Sequence, residues 1–136
     1  MKHVGPQTAK NPLRNASGFT LVEIIAVLVI LGILAAVAVP KYYELQENAK
    51  SKALDGAIAE VVGRVNQHFA KSILEGVAVA SIKYNATTLG STDLGDFTLN
   101  SVVLAGDTLT ITVQGNNGTA VAGATKSRDI QRPKGF

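Results

Sequence analysis

The sequence predicts an α+β protein: one long N-terminal α-helix whose C-terminal half packs on a small antiparallel β-sheet. Three observations carry this. Residues 19–39 are a near-continuous apolar run with one charge, Glu23. Residues 41–74 repeat apolar side chains every three or four positions. Residues 97–122 alternate apolar and polar around turn-forming Gly, Asn and Asp. With 136 residues, 46% apolar and only 17% charged, the chain is one domain with an extension, and a disordered tail protein is excluded.

Charge is local. Of the +3 formal charge, Lys2, Lys10 and Arg14 in the first 18 residues supply all the excess; the remaining ten Lys/Arg balance ten Asp/Glu. A nucleic-acid partner is therefore not indicated. The chain has no cysteine and two histidines, His3 and His68. Disulfides, thiolate metal sites and a cysteine nucleophile are excluded, and no cofactor or metal is called for.

As a helix, residues 19–39 would extend about 31 Å, enough to cross a hydrocarbon core of about 30 Å. The cationic flank before them belongs in the cytoplasm, which places the C-terminal part outside. One reading is a single-pass anchor. A second is a secretory signal trimmed after Ala36, Val37 and Ala38, but its apolar region is too long, carries a glutamate and follows a long polar flank. A third places the cut between Gly18 and Phe19.

The run Gly18-Phe19-Thr20-Leu21-Val22-Glu23 resembles the cleavage and methylation motif of type IV prepilins: a short basic leader ending in Gly, then Phe, then Glu, at the head of an apolar helix. Gly32 and Pro40 match positions typical of that family's N-terminal helix. Residues 40–49 look most like pilins of the mannose-sensitive haemagglutinin kind. The likeness is specific over residues 14–45 and weak beyond Phe69. It implies a type IV pilin fold, with a cleaved cytoplasmic leader (1–18), a transmembrane and filament-core helix (19–40), and an extracytoplasmic head (41–136). A membrane peptidase would cut after Gly18 and the new amine of Phe19 would be methylated.

The residue types suit that chemistry. Glycine at a cut site lets a protease approach an extended backbone; alone, Gly18 would read as a loop residue before a helix. A carboxylate in hydrocarbon costs a few kcal/mol and is rarely kept without a partner. Cleavage supplies one, the Phe19 amine, about 6 Å away along the helix. The resemblance implies that Glu23 instead meets the amine of a neighbouring subunit and so sets axial register. The plain alternative is a glutamate reaching the interface. Gly32 and Ala36, four apart and small, permit close helix approach. Pro40 is expected to kink or break the helix at or just before Val39, with 32–40 helical in a monomer and able to extend in a fibre.

Beyond Lys41, the residues Leu54, Ile58, Val61, Val62, Val65, Phe69 and Ile73 mark one buried helical face. Glu60 and Arg64 form an i, i+4 pair. Residues 81–84 read as a short strand, 97–104 and 108–114 as a hairpin around Ala105, Gly106 and Asp107, and 119–122 as a third strand. Leu109, Ile111 and Val113 share one face, and Thr108, Thr110 and Thr112 the other. Residues 127–136 are too polar to assign.

Weaker signals have plainer explanations. Asp93, Asp96 and Asp107 suit turns better than calcium. Asn85 and Asn117 head glycosylation-type triplets that are common by chance. His68 suits a half-exposed helix position, and the aromatics Phe19, Tyr42, Tyr43 and Phe69 suit packing. The expected function is structural: a type IV pilus subunit, not an enzyme, assembling as a helical homo-oligomeric filament. The resemblance implies prepilin peptidase, an assembly ATPase and a membrane platform protein as partners, the bacterial inner membrane as the precursor's location and the cell exterior as the pilus's. The alternative is a type II secretion pseudopilin. An enzyme or solute-binding module on an anchor lacks a nucleophile motif and has His68 as its one histidine beyond the leader.

Overall fold

The computed structural model describes residues 1, 2, 5 and 18–135; Lys10, Arg14 and most of the expected leader lie outside the described residues. The chain divides into two units, Met1–Lys41 and Tyr42–Phe136. Helix α1 (Leu21–Leu74) runs through both. A 3-10 turn (Val79–Ser81) and strands β1 (Phe97–Ala105), β2 (Thr108–Gly115) and β3 (Thr125–Gln131) follow. The architecture is α+β, as expected.

In the first unit every large apolar residue from 19 to 39 is exposed, from Ile24 at 47% to Phe19 at 85%. The helix here is long and apolar enough to cross a membrane. Its continuous apolar surface far exceeds what an isolated soluble chain shows to water, so lipid or protein must cover it. Pro40 lies inside α1. Of the expected kink or break, a break at Val39 does not occur, and residues 32–40 are helical as expected of a monomer; proline removes one donor, at about 3 kcal/mol.

In the second unit, Leu54, Ile58, Val61 and Val65 of α1 pack on Leu99 and Val102 of β1 and on Leu109, Ile111 and Val113 of β2. The inward stripe continues through Ser72 rather than Ile73, which is 40% exposed; Ser72 lies seven residues, about two turns, on from Val65 along the same face. Ile82, Tyr84 and Leu89 from the linking segment close the core.

The sheet is antiparallel in the order β1-β2-β3. Gly106 and Asp107 form the β1–β2 turn, with Gly106 at φ 60°, the left-handed conformation such two-residue turns require of glycine. The β1 register shifts between Leu99 and Ser101. This bulge places Leu99 and Val102, three apart in sequence, on the same buried face. Leu109, Ile111 and Val113 are fully buried, while Thr110 donates to Asp129 (2.7 Å) and Thr112 pairs with Ser127 (2.8 Å) on the opposite face.

Two expected strands are absent from these positions. Residues 82–84 alternate burial, but the Lys83 carbonyl accepts from His68 Nε2 (3.1 Å) and Thr88 Oγ1 (3.3 Å) instead of from a strand. Residues 119–122 are a turn, closed by Ala122 N donating to Thr119 O (3.2 Å). The third strand is β3, a polar edge whose cations find carboxylates. Lys126 and Arg128 reach Asp55 of α1 at 2.8 and 2.6 Å, and Lys126 also donates to Ser51 Oγ at 3.0 Å.

Candidate functional site

Gly18, Phe19 and Thr20 precede the helix as exposed, non-helical chain, and α1 begins at Leu21. A Cβ at Gly18 would meet nothing within 4 Å. The bond between Gly18 and Phe19 thus lies in exposed, non-helical chain.

Thr20 is what stops the helix there. Its Oγ1 accepts from Glu23 N (3.2 Å), and Glu23 Oε2 accepts from both Thr20 N (2.8 Å) and Thr20 Oγ1 (2.9 Å). The Thr20 carbonyl accepts the first helical bond, from Ile24 N at 3.2 Å. This is a capping box: each residue satisfies a backbone donor that the helix start leaves orphaned. The negative carboxylate also lies at the positive end of the helix dipole. The sequence reading of Glu23, as a charge paired with an amine or reaching the interface, leaves this capping role out. The spacing Thr20-x-x-Glu23 was the available signal for its second role.

Among the described residues no cation pairs with Glu23. Among the described residues its Oε2 is held by Thr20 alone, and the Phe19 amine does not exist while the bond to Gly18 is intact. Gly32 lies in the exposed apolar stretch, and an added Cβ would meet nothing within 4 Å. Among the described residues nothing requires glycine there. Pro40 ends the apolar stretch; Tyr42 and Tyr43 follow, 62% and 63% exposed, their rings edge to face at 6.4 Å.

Elsewhere the candidates resolve into structural roles. Glu60 pairs with Arg64 at 2.6 Å, and Arg64 also donates to the Ser91 carbonyl at 2.5 Å, tying the linking segment to α1. Asp93 accepts from Gly95 N at 2.9 Å within its own turn. Asp107 binds Lys134 at 2.8 Å and Arg132 at 3.1 Å. The hydrogen bond from Lys134, with the charges of both cations, holds the Asp107 carboxyl below the usual carboxylate range. Among the described residues no group of three His, Asp or Glu side chains is placed to hold a metal.

Comparison with known proteins bears on the same segment. The family described as the prokaryotic N-terminal methylation motif matches residues 13–39. The chain is 46% identical over 46 residues to the type IV narrow pilus major component PilA5 of Thermus thermophilus, covering 34% of this chain and 40% of that protein. It is 42% identical over 55 residues to the type II secretion system core protein G of Pseudomonas aeruginosa, covering 40% of this chain and 39% of that one. The chain spans about two fifths of the length of these curated relatives. No solved structure matches it significantly.

Proposed function

We propose that this chain, which belongs to the superfamily of type IV pilins and pseudopilins, is a structural subunit of a type IV pilus filament. One observation carries the reading: a helix with every large apolar side chain exposed over residues 19–39, capped immediately after an exposed bond between Gly18 and Phe19. Such a helix needs lipid or protein to cover it, copies of itself in this reading, and the exposed bond at its start suits cleavage.

In this account the precursor sits in the inner membrane with residues 41–136 outside. A prepilin peptidase cuts after Gly18, and the Phe19 amine is methylated. Assembly transfers the apolar helix from lipid into a filament core, with work supplied by an assembly ATPase through a membrane platform protein. The chain performs no reaction. Glu23 then takes on a second task, pairing with the Phe19 amine of a neighbour. Both groups lose water on assembly, so one axial stagger that satisfies both is strongly preferred. Gly32 permits close helix approach, and Pro40, lacking a donor, marks where helicity is weakest.

A second reading follows from the likeness to a type II secretion protein: a pseudopilin sharing this N-terminal segment. Electron microscopy of material sheared from cells, with mass analysis of its N-terminus, tests both. Filaments built of chains that begin at methylated Phe19 are expected. Chains that begin there but stay with secretion components support the second reading. Native protein beginning at Met1, or trimmed after Ala38, overturns both.

A further inference from the structure

The turn after β2 carries an arrangement that the assembly function does not use. Residues 116–119 form a β-turn, closed by Thr119 N donating to Asn116 O at 3.3 Å. Its central residues are Asn117 and Gly118, both exposed, with Gly118 at φ 84°. The ends of the turn are held firmly. Gly115 N donates to Ala124 O (2.8 Å) and Asn116 N to Asp96 O (2.9 Å). The Asn116 side chain donates to Gly95 O (2.7 Å) and accepts from Thr98 Oγ1 (2.5 Å). The middle is not held. Among the described residues, neither the Asn117 side-chain amide, the Asn117 carbonyl nor the Gly118 N–H makes a hydrogen bond.

We propose that Asn117 is a site of spontaneous deamidation, in which the folded turn itself supplies the nucleophile. The Gly118 backbone nitrogen, losing its proton to hydroxide, attacks Cγ of Asn117. Ammonia leaves and a five-membered succinimide forms. Water then opens the ring at either carbonyl, giving aspartate or isoaspartate; no oxidant or reductant is involved. The attack requires the peptide plane between Asn117 and Gly118 to rotate until the nitrogen faces Cγ. That plane has no hydrogen bond to break. Glycine, without a Cβ, admits the backbone angles on both sides of the rotation.

The other described asparagines lack one or more of these conditions. Asn116 precedes a residue with a side chain, and its amide is bound at both ends. Asn85 accepts from Thr88 N at 2.8 Å and precedes Ala86. Asn48 and Asn66 lie within α1, and Asn100 lies within β1. The product places a negative charge on the head. In the isoaspartyl form the main chain is one methylene longer, so the bond from Thr119 N to Asn116 O loses its geometry. Asn116, which staples residues 95, 96 and 98 to the end of β2, sits beside the change.

Peptide mass spectrometry of the detergent-solubilised full chain, aged in mildly alkaline buffer, tests this. Aspartate and isoaspartate are expected at 117, formed roughly tenfold or more faster than at Asn116 or Asn85, because only Gly118 leaves the attacking nitrogen unhindered. The rate should climb with hydroxide, and Gly118→Ala should slow it by a similar factor. The same chain unfolded in urea is the control that needs no variant. Comparable conversion in the folded and unfolded chains supports the proposal. An intact Asn117 in folded protein, when the unfolded chain has converted, overturns it, as would equal conversion at Asn116 and Asn85. This chemistry is independent of whether the chain forms filaments.

Discussion

Thr20 and Glu23 cap one another at the start of α1, the threonine hydroxyl on the glutamate's N–H and the glutamate carboxylate on the threonine's N–H. The same carboxylate therefore serves the precursor's helix and, in the proposed filament, a neighbour's amine. The two roles separate by substitution. Glu23→Gln keeps an acceptor for the cap and removes the charge; Glu23→Ala removes both. Both variants are expected to be cut after Gly18, because the bond lies outside the helix. Both are expected to lose most of their sheared filament yield. Wild-type yield from Glu23→Gln would show that capping, not charge, is what assembly needs.

Asp55 is expected to give the head an acid-side stability step. The hydrogen bond from Lys126, opposed by burial and aided by the charges of Lys126, Arg128 and Lys52, holds its carboxyl below the usual range. A folded value below the unfolded one means the contribution is complete above the ordinary aspartate range and is lost as pH falls through the folded value. Thermal melts of the detergent-solubilised chain check this. Asp55→Asn should melt below wild type at neutral pH, with the gap closing in acid as the wild-type carboxyl takes up its proton. A gap that persists unchanged in acid would show that the ion pairs to β3 do not matter.

Tyr84 is 5% exposed, and its buried hydroxyl has no partner among the described residues. Burial pushes its phenol pKa up. A buried, unsatisfied polar atom costs about 1–3 kcal/mol. Tyr84→Phe keeps the ring, including its edge contact with His68 at 5.7 Å, and is expected to be neutral or to stabilise by up to about 1 kcal/mol. A clear fall in melting temperature would reveal a hydrogen bond to that hydroxyl.

Gly115 ends β2 where the following turn folds back onto it. A Cβ there would run into the Val121 carbonyl, and backbone yields less readily than a side chain. Gly115→Ala is expected to destabilise the head by about 1–3 kcal/mol, the usual range for overpacking. Gly63→Ala on α1, where an added Cβ meets nothing within 4 Å, is expected to be neutral or stabilising by up to about 1 kcal/mol from helix propensity. Denaturant unfolding of both variants beside wild type measures the contrast.

The long helix, its buried stripe and the β1–β2 hairpin were legible from residue order because each depends on local spacing. Leu54, Ile58, Val61 and Val65 recur at helical intervals, and Leu109, Ile111 and Val113 at the strand interval. The match to the N-terminal methylation motif was legible for the same reason: Gly18, Phe19 and Glu23 are neighbours in the chain. The polar strand β3 was not. Lys126 and Arg128 look like loop residues until Asp55, far back in the sequence, supplies their counter-charge. The strands wrongly expected at 81–84 and 119–122 show the converse. Their alternation is real, but His68 and Thr88 claim the Lys83 carbonyl and a turn closes residues 119–122. Periodicity establishes which faces must be buried; which backbone groups pair, and whether a charged edge is tolerated, depends on partners that only the folded chain brings within hydrogen-bonding distance.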